Sequence, residues 1–128
     1  MSRVLVVDDD LSIREVLVQA LEDAGFEAEA AEDGRRGLKM LCAATAEGNP
    51  FDAMILDIIM PDIDGWKVLE AVKHNPLWAE MPVVVISGHA NGSGDVARVS
   101  SYDGFFVEKS GNFADVIKSA LGRILRAA

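Results

Sequence analysis

The sequence predicts an α/β domain: a five-stranded parallel sheet with helices packed on both faces. Three observations predict it. Short apolar, β-branched runs alternate five times with stretches whose apolar residues recur at helical spacing. Two of the runs, Val4-Leu5-Val6-Val7 and Met81-Pro82-Val83-Val84-Val85-Ile86, show no polar alternation, as in strands buried on both faces. Four of the runs end on polar side chains: Asp8-Asp9, Asp57, Ser87 and Lys109.

The first strand, Val4 to Val7, stops at Asp8-Asp9-Asp10. A helix follows, with Ser12 and Glu15 at capping-box spacing and Leu11 with Val16 as a hydrophobic staple. Ile13, Val16, Leu17, Ala20, Leu21 and Ala24 form its apolar stripe, and Gly25 is its stop. Phe26 to Ala30 alternates with Glu27 and Glu29, which predicts a half-exposed strand at a sheet edge. Asp33 caps the second helix, which carries Leu38, Leu41 and Cys42 inward and ends at Gly48-Asn49-Pro50. Gly37 inside it implies a close backbone approach.

The run from Phe51 then drives into Asp57, a carboxylate placed directly after Met54-Ile55-Leu56. Such a charge is costly to bury unless the strand emerges there into a cleft. Asp64 caps a third helix with Val68, Leu69 and Val72 on one face, and Asn75-Pro76 stops it. The fourth strand, Met81 to Ile86, ends at Ser87-Gly88. From His89 to Ser101 the glycines and serines predict a short, loosely held fourth helix around Val96, Ala97 and Val99. Phe105-Phe106-Val107 is the fifth strand. Asn112 caps a last helix with Phe113, Val116, Ile117, Ala120, Leu121, Ile124 and Leu125 at helical positions.

A chain of 128 residues, half of them hydrophobic, fits one domain with one core, spanning 1–128. The single cysteine, Cys42, excludes an internal disulfide and reads as a buried structural thiol. No apolar run is long enough for a membrane span, and Met1-Ser2-Arg3 leading into a strand is not a signal peptide. These features argue for a cytosolic protein. A formal net charge of −9 argues against direct nucleic-acid binding.

The strand exits share one edge of a parallel sheet, where ligands bind in open α/β folds. Neighbouring strands lie about 4.8 Å apart. If the first and third strands are neighbours, Asp8, Asp9 and Asp57 converge, and three adjacent carboxylates need compensation to stay ionised. A hard divalent cation supplies it, and Mg2+ takes one or two carboxylates together with phosphate oxygens. Lys109 adds a compact positive charge and Ser87 a hydroxyl donor. Asp57 in such a set can act as a nucleophile that accepts a phosphoryl group.

These residues are similar to those of the receiver domain of two-component response regulators, over essentially the whole chain. The resemblance rests on Val6-Val7-Asp8-Asp9-Asp10, on Asp57 with Met60-Pro61 and Asp64-Gly65, on Ser87-Gly88 and on Lys109. From Asp9 to Asp57, Ser87 and Lys109 the successive intervals are 48, 30 and 22 residues. The resemblance implies a flavodoxin-like fold of strand order 2-1-3-4-5, for which a member of this same family is a standard example. It further implies that Asp57 is phosphorylated by a sensor histidine kinase or a histidine phosphotransfer protein. Asp8, Asp9, Asp57 and the backbone carbonyl of Ile59 would hold Mg2+. Lys109 would contact the phosphoryl group. Ser87 would swing toward it, followed inward by an aromatic of the fifth strand, altering the surface around the fourth helix for an unknown downstream protein. The module would be a switch, not an enzyme. The readings from other classes are a magnesium-dependent phosphohydrolase with an aspartyl-phosphate intermediate and a receiver-like binding module that takes no phosphate.

Four departures from the family pattern carry expectations. Ser110 replaces the usual proline after the lysine, and a cis bond there would cost about 2.5–4 kcal/mol. A trans bond and a shifted loop are therefore expected, which puts the placement of Lys109 at stake. Tyr102-Asp103 replaces a small pair before the fifth strand. Counting back from Lys109 makes Phe106 the switching aromatic, whereas aligning on Asp103-Gly104 would make it Phe105. Ile59 cannot orient a hydrolytic water, which predicts slow loss of the phosphoryl group. His89 is the residue that could orient one.

Overall fold

The computed structural model describes residues 2–60, 63–88, 93–102 and 104–126; for 93–96 and 126 it describes the backbone. The elements run β1 (Arg3–Val7), α1 (Leu11–Asp23), β2 (Glu27–Ala31), α2 (Gly34–Ala46), β3 (Ala53–Asp57), α3 (Gly65–Lys73), β4 (Val83–Ser87), α4 (Ser93–Ser101), β5 (Phe105–Glu108) and α5 (Phe113–Arg126). The strands form one parallel sheet in the order β2-β1-β3-β4-β5. The predicted fold class is the observed one, and β2 lies at an edge as its charge alternation requires.

The period of two along each strand divides the core. Leu5, Val7, Met54, Leu56, Val83 and Val85 face α2, α3 and α4, where Leu41, Val68, Leu69, Val72 and Val99 meet them. Val4, Val6, Ala53, Ile55, Val84 and Ile86 face α1 and α5, where Leu17, Leu21, Ile117 and Leu121 meet them. The three central strands are buried on both faces, which is why they read as unbroken apolar runs. Among the described residues no helix is long and apolar enough to cross a membrane.

Local chemistry corrects several expectations. The N-cap of α1 is Asp10, not Ser12: its carboxylate accepts from the backbone N–H groups of Ser12 and Ile13 at 2.8 and 3.3 Å. A carboxylate one position earlier satisfies the same orphan donors and adds favourable charge at the helix start. With the cap moved, Leu11 and Val16 point outward, 59% and 49% exposed, and form no staple. Ala24 and Val116 are likewise exposed. In α2 the buried stripe is Gly34, Gly37, Leu41 and Ala44, so Cys42, turned about 100° from Leu41, is exposed and not a core thiol. Gly25 stops α1 in the left-handed region, at φ 92°. The predicted caps Asp33 and Asp64 accept from Arg36 and Lys67 N–H groups at 2.8 and 2.9 Å. The fourth helix runs over nine residues despite Gly94 and its three serines. Arg98 ties it to α3 by resting over the Trp66 ring, 4.0 Å from the centroid.

Two glycines let helices press on the sheet edge. A Cβ at Gly37 would lie 2.8 Å from Val7 Cγ2. At Gly65 it would lie 2.3 Å from the carbonyl oxygen of Asp57 and 2.5 Å from Ile58 Cα. Backbone atoms cannot swing aside as a side chain can. Gly65→Ala is therefore expected to destabilise the domain by about 1–3 kcal/mol in urea titrations, the usual range for overpacking. An unchanged midpoint would show that the α3 start is free to retreat.

Candidate functional site

Among the described residues, the buried polar or charged side chains are Asp8, Asp57 and Ser87. All three stand at the carboxyl ends of the central strands. Interiors normally exclude such groups unless they are paired, so their gathering at one edge marks the site. The register explains the convergence. Val7 pairs with Leu56, which sets Asp8 beside Asp57; Asp57 pairs with Ile86, which sets Ser87 one step beyond.

Carboxylate oxygens of Asp8, Asp9 and Asp57 lie within 4.8 Å of one another. Asp8 and Asp57 are buried, whereas Asp9 is exposed. The Lys109 ammonium lies 2.8 Å from Asp8 Oδ2 and 3.3 Å from Asp57 Oδ2. The other Asp8 oxygen accepts the Asp10 N–H at 2.9 Å, and Asp57 Oδ1 accepts the Ile59 N–H at 3.2 Å. The Ile59 side chain itself points outward and is 57% exposed. The loop after Asp57 is closed by Gly65 N–H donating to the Ile58 carbonyl at 2.9 Å.

Lys109 is in the site despite Ser110. The described residues contain no cis peptide, so the bond after Lys109 is trans as expected. The feared displacement does not occur, because the Lys109 N–H donates to the Ser87 carbonyl at 2.8 Å and holds the strand exit in register. Phe106 is half-buried against the α2–α4 side of the core, opposite Val85, while Phe105 is 44% exposed. Pro61, His89 and Asp103 lie outside the described residues.

Electrostatics at the site is unbalanced. Burial, then the neighbouring Asp8 charge, pushes the Asp57 carboxyl up from 3.8 to about 6, against the pull of Lys109 and the Ile59 N–H. Burial draws the Lys109 ammonium down, but its hydrogen bond to Asp8 and the charges of Asp57 and Asp8 outweigh this and raise its pKa. One ammonium thus faces three acids. The donor set is all oxygen and carries excess negative charge, so it suits a hard cation such as Mg2+ and not a soft one.

Sequence reasoning missed Arg14, whose guanidinium donates 2.8 Å to the carbonyl of Asp8. Its position in the first turn of the helix after the acidic run was the available signal.

Residues 4–120 match the response regulator receiver domain. The response regulator MprA of Mycolicibacterium vanbaalenii is 36% identical over 99 residues, covering 77% of this chain and 40% of MprA. A putative NtrX-like response regulator of Rickettsia felis is 37% identical over 114 residues, covering 85% of this chain and 22% of that protein. The chain spans less than half the length of these curated relatives. Among solved structures, the chemotaxis protein CheY4 of Vibrio cholerae superposes with a TM-score of 0.80 at 29% identity, over 96% of this chain and 98% of that one. With the acidic strand exits, the lysine and the strand order in agreement, the chain belongs to the receiver domains of two-component response regulators.

Proposed function

We propose that residues 1–128 form a single receiver domain that works in the cytoplasm as a phosphorylation-dependent switch. The observation that carries this is the buried Asp57 carboxylate, set beside Asp8 and Asp9 with the Lys109 ammonium against it. Asp57 attacks the phosphorus of a phosphohistidine on a sensor histidine kinase or a histidine phosphotransfer protein. The N–P bond breaks, an O–P bond forms at the Asp57 carboxylate, and the histidine leaves with its nitrogen lone pair restored. Catalysis here is positioning and charge neutralisation, because little else is asked of the protein in phosphoryl transfer.

Asp8, Asp9 and Asp57, with the Ile59 carbonyl, would hold Mg2+, which supplies positive charge to the phosphoryl oxygens. Lys109 pairs with those oxygens from the side of Asp8. The Ser87 hydroxyl, at the exit of β4, donates to one of them and so registers whether the group is present. Phe106, half-buried one strand away, follows Ser87 inward and reshapes the α4-β5-α5 surface. The output is docking to a downstream protein or onward transfer of the phosphoryl group. A phosphohydrolase would need a further acid to release product, and the position two residues past Asp57 holds an outward-facing isoleucine instead.

Incubation with Mg2+ and a small phosphodonor should add one phosphoryl group by intact mass, and Asp57→Asn should abolish it. No addition to the parent chain would leave a receiver-like module that takes no phosphate; multiple turnover of a generic phosphate ester would favour the hydrolase. Ile59→Asn, which offers an amide to a hydrolytic water, should shorten the phosphoryl lifetime severalfold. An equal or longer lifetime would remove the role given to the isoleucine.

The raised acid gives a pH dependence whose sign is fixed. A carboxyl with a folded pKa of about 6 and an ordinary value of 3.8 binds its proton more tightly in the fold than in the unfolded chain. Its ionised form therefore destabilises the cation-free domain, fully above the folded value and not at all below the ordinary one. In EDTA above neutral pH, Asp57→Asn should be more stable than the parent by about 1–3 kcal/mol. The gap should close as pH falls from about 6 toward 3.8, and Mg2+ binding to the parent should weaken over the same range. Equal stabilities at all pH values in thermal or urea unfolding would contradict the charge imbalance.

A further inference from the structure

Arg14 stands in the first turn of α1, and its half-buried side chain folds back over the helix start. There Nη1 donates to the backbone carbonyl of Asp8 at 2.8 Å. That carbonyl belongs to the peptide joining Asp8 to Asp9. Two further bonds pin the same segment: the Asp8 N–H donates to the Ala31 carbonyl at 3.2 Å, and the Asp10 N–H donates to Asp8 Oδ1 at 2.9 Å. Among the described residues no hydrogen bond or ion pair holds the Asp9 carboxylate, which is exposed. Its place within 4.8 Å of the Asp8 and Asp57 oxygens is therefore set by its backbone, and Arg14 fixes the oxygen end of the peptide that carries it.

We propose that Arg14 is a positioning residue for the cation site: by holding the Asp8 carbonyl, it aims the Asp9 carboxylate at Asp57. The proposal rests on reading Asp8, Asp9 and Asp57 as a Mg2+ site. The geometry and the charge of Arg14 pull in opposite directions. As a cation near the site, Arg14 repels Mg2+, so its removal by charge alone would tighten binding. As a clamp, its removal releases Asp9 and weakens binding. Partners that orient ligands typically affect metal affinity by about 10–100-fold.

The test is calorimetric titration of the full chain with MgCl2, alongside metal-free thermal unfolding. Arg14→Met, which keeps the apolar stem, should weaken Mg2+ binding about tenfold. Arg14→Lys, which keeps the charge and a single donor, should fall between Arg14→Met and the parent. In an Asp9→Asn background, Arg14→Met should change the affinity no further, an outcome that a general loosening of the fold would not produce. Unchanged or tighter binding in Arg14→Met, or the same additional loss with Asp9→Asn present, would overturn the proposal. Should Arg14→Met not fold, Arg14→Lys decides alone: charge is constant, so parent-like affinity overturns the clamp and weaker affinity supports it. A parent that binds no Mg2+ overturns the reading of the site itself; a parent that binds while Arg14 variants match it overturns only the clamp.

Discussion

Three carboxylates and one ammonium at the exits of buried parallel strands are the constraint on which the rest of this structure depends. Asp8 and Asp57 come together because β1 and β3 are neighbours, and Lys109 joins them because β5 lies beyond β4 with its own exit in line. The sheet supplies a rigid frame for charges that repel one another. Apart from Arg3, its central strands are buried throughout, so the cost of crowding acids is met by apolar packing elsewhere in the domain. A phosphoryl group on Asp57 would add negative charge to a place already short of positive charge. Under the proposed function, that shortage is what a bound cation would relieve.

The loops convert this frame into geometry. Gly65 presses α3 against the Asp57 carbonyl, and its N–H closes the intervening loop on Ile58. Asp10, three residues past the end of β1, starts α1 by accepting from the N–H groups of Ser12 and Ile13. Of the acidic run Asp8-Asp9-Asp10, one member is thus paired with lysine, one faces solvent beside the site, and one caps a helix. Charge that looks uniform in sequence is divided into three physical roles by the turn that carries it.

Much of the fold was legible because burial writes itself into composition. Val4 to Val7 and Val83 to Ile86 lack polar alternation since both faces are covered, and the edge strand β2 shows its glutamates since one face is not. Asp57, Ser87 and Lys109 were legible only together: each alone is an ordinary strand-end residue, whereas polar side chains at four strand exits of one sheet edge are not. Rotational detail was not. Val16 and Cys42 each sit about one residue off their buried stripe, and helical periodicity tolerates that error. Asp10 and Ser12 are both sound caps by type, and only the backbone distinguishes them. Ser110 follows a trans bond as expected, and Lys109 keeps its place through a strand-exit hydrogen bond to a main-chain carbonyl that sequence does not display. Arg14 escaped notice because its contact is to a main-chain carbonyl, which sequence signals only through the residue's place in the first turn after the acidic run.

The outward turn of Ile59 has an evolutionary consequence. The main chain at this position holds Asp57 through its N–H, whereas the side chain faces solvent and supports nothing in the core. Under the proposed function, the main chain of this residue would steady the acceptor while its side chain would decide how water reaches the phosphoryl group. On that reading, substitution there would leave Asp57 in place and change the approach to it. Under the proposed function, a lineage could lengthen or shorten the memory of its signal by single codon changes, with the folding stability and the acceptor left untouched.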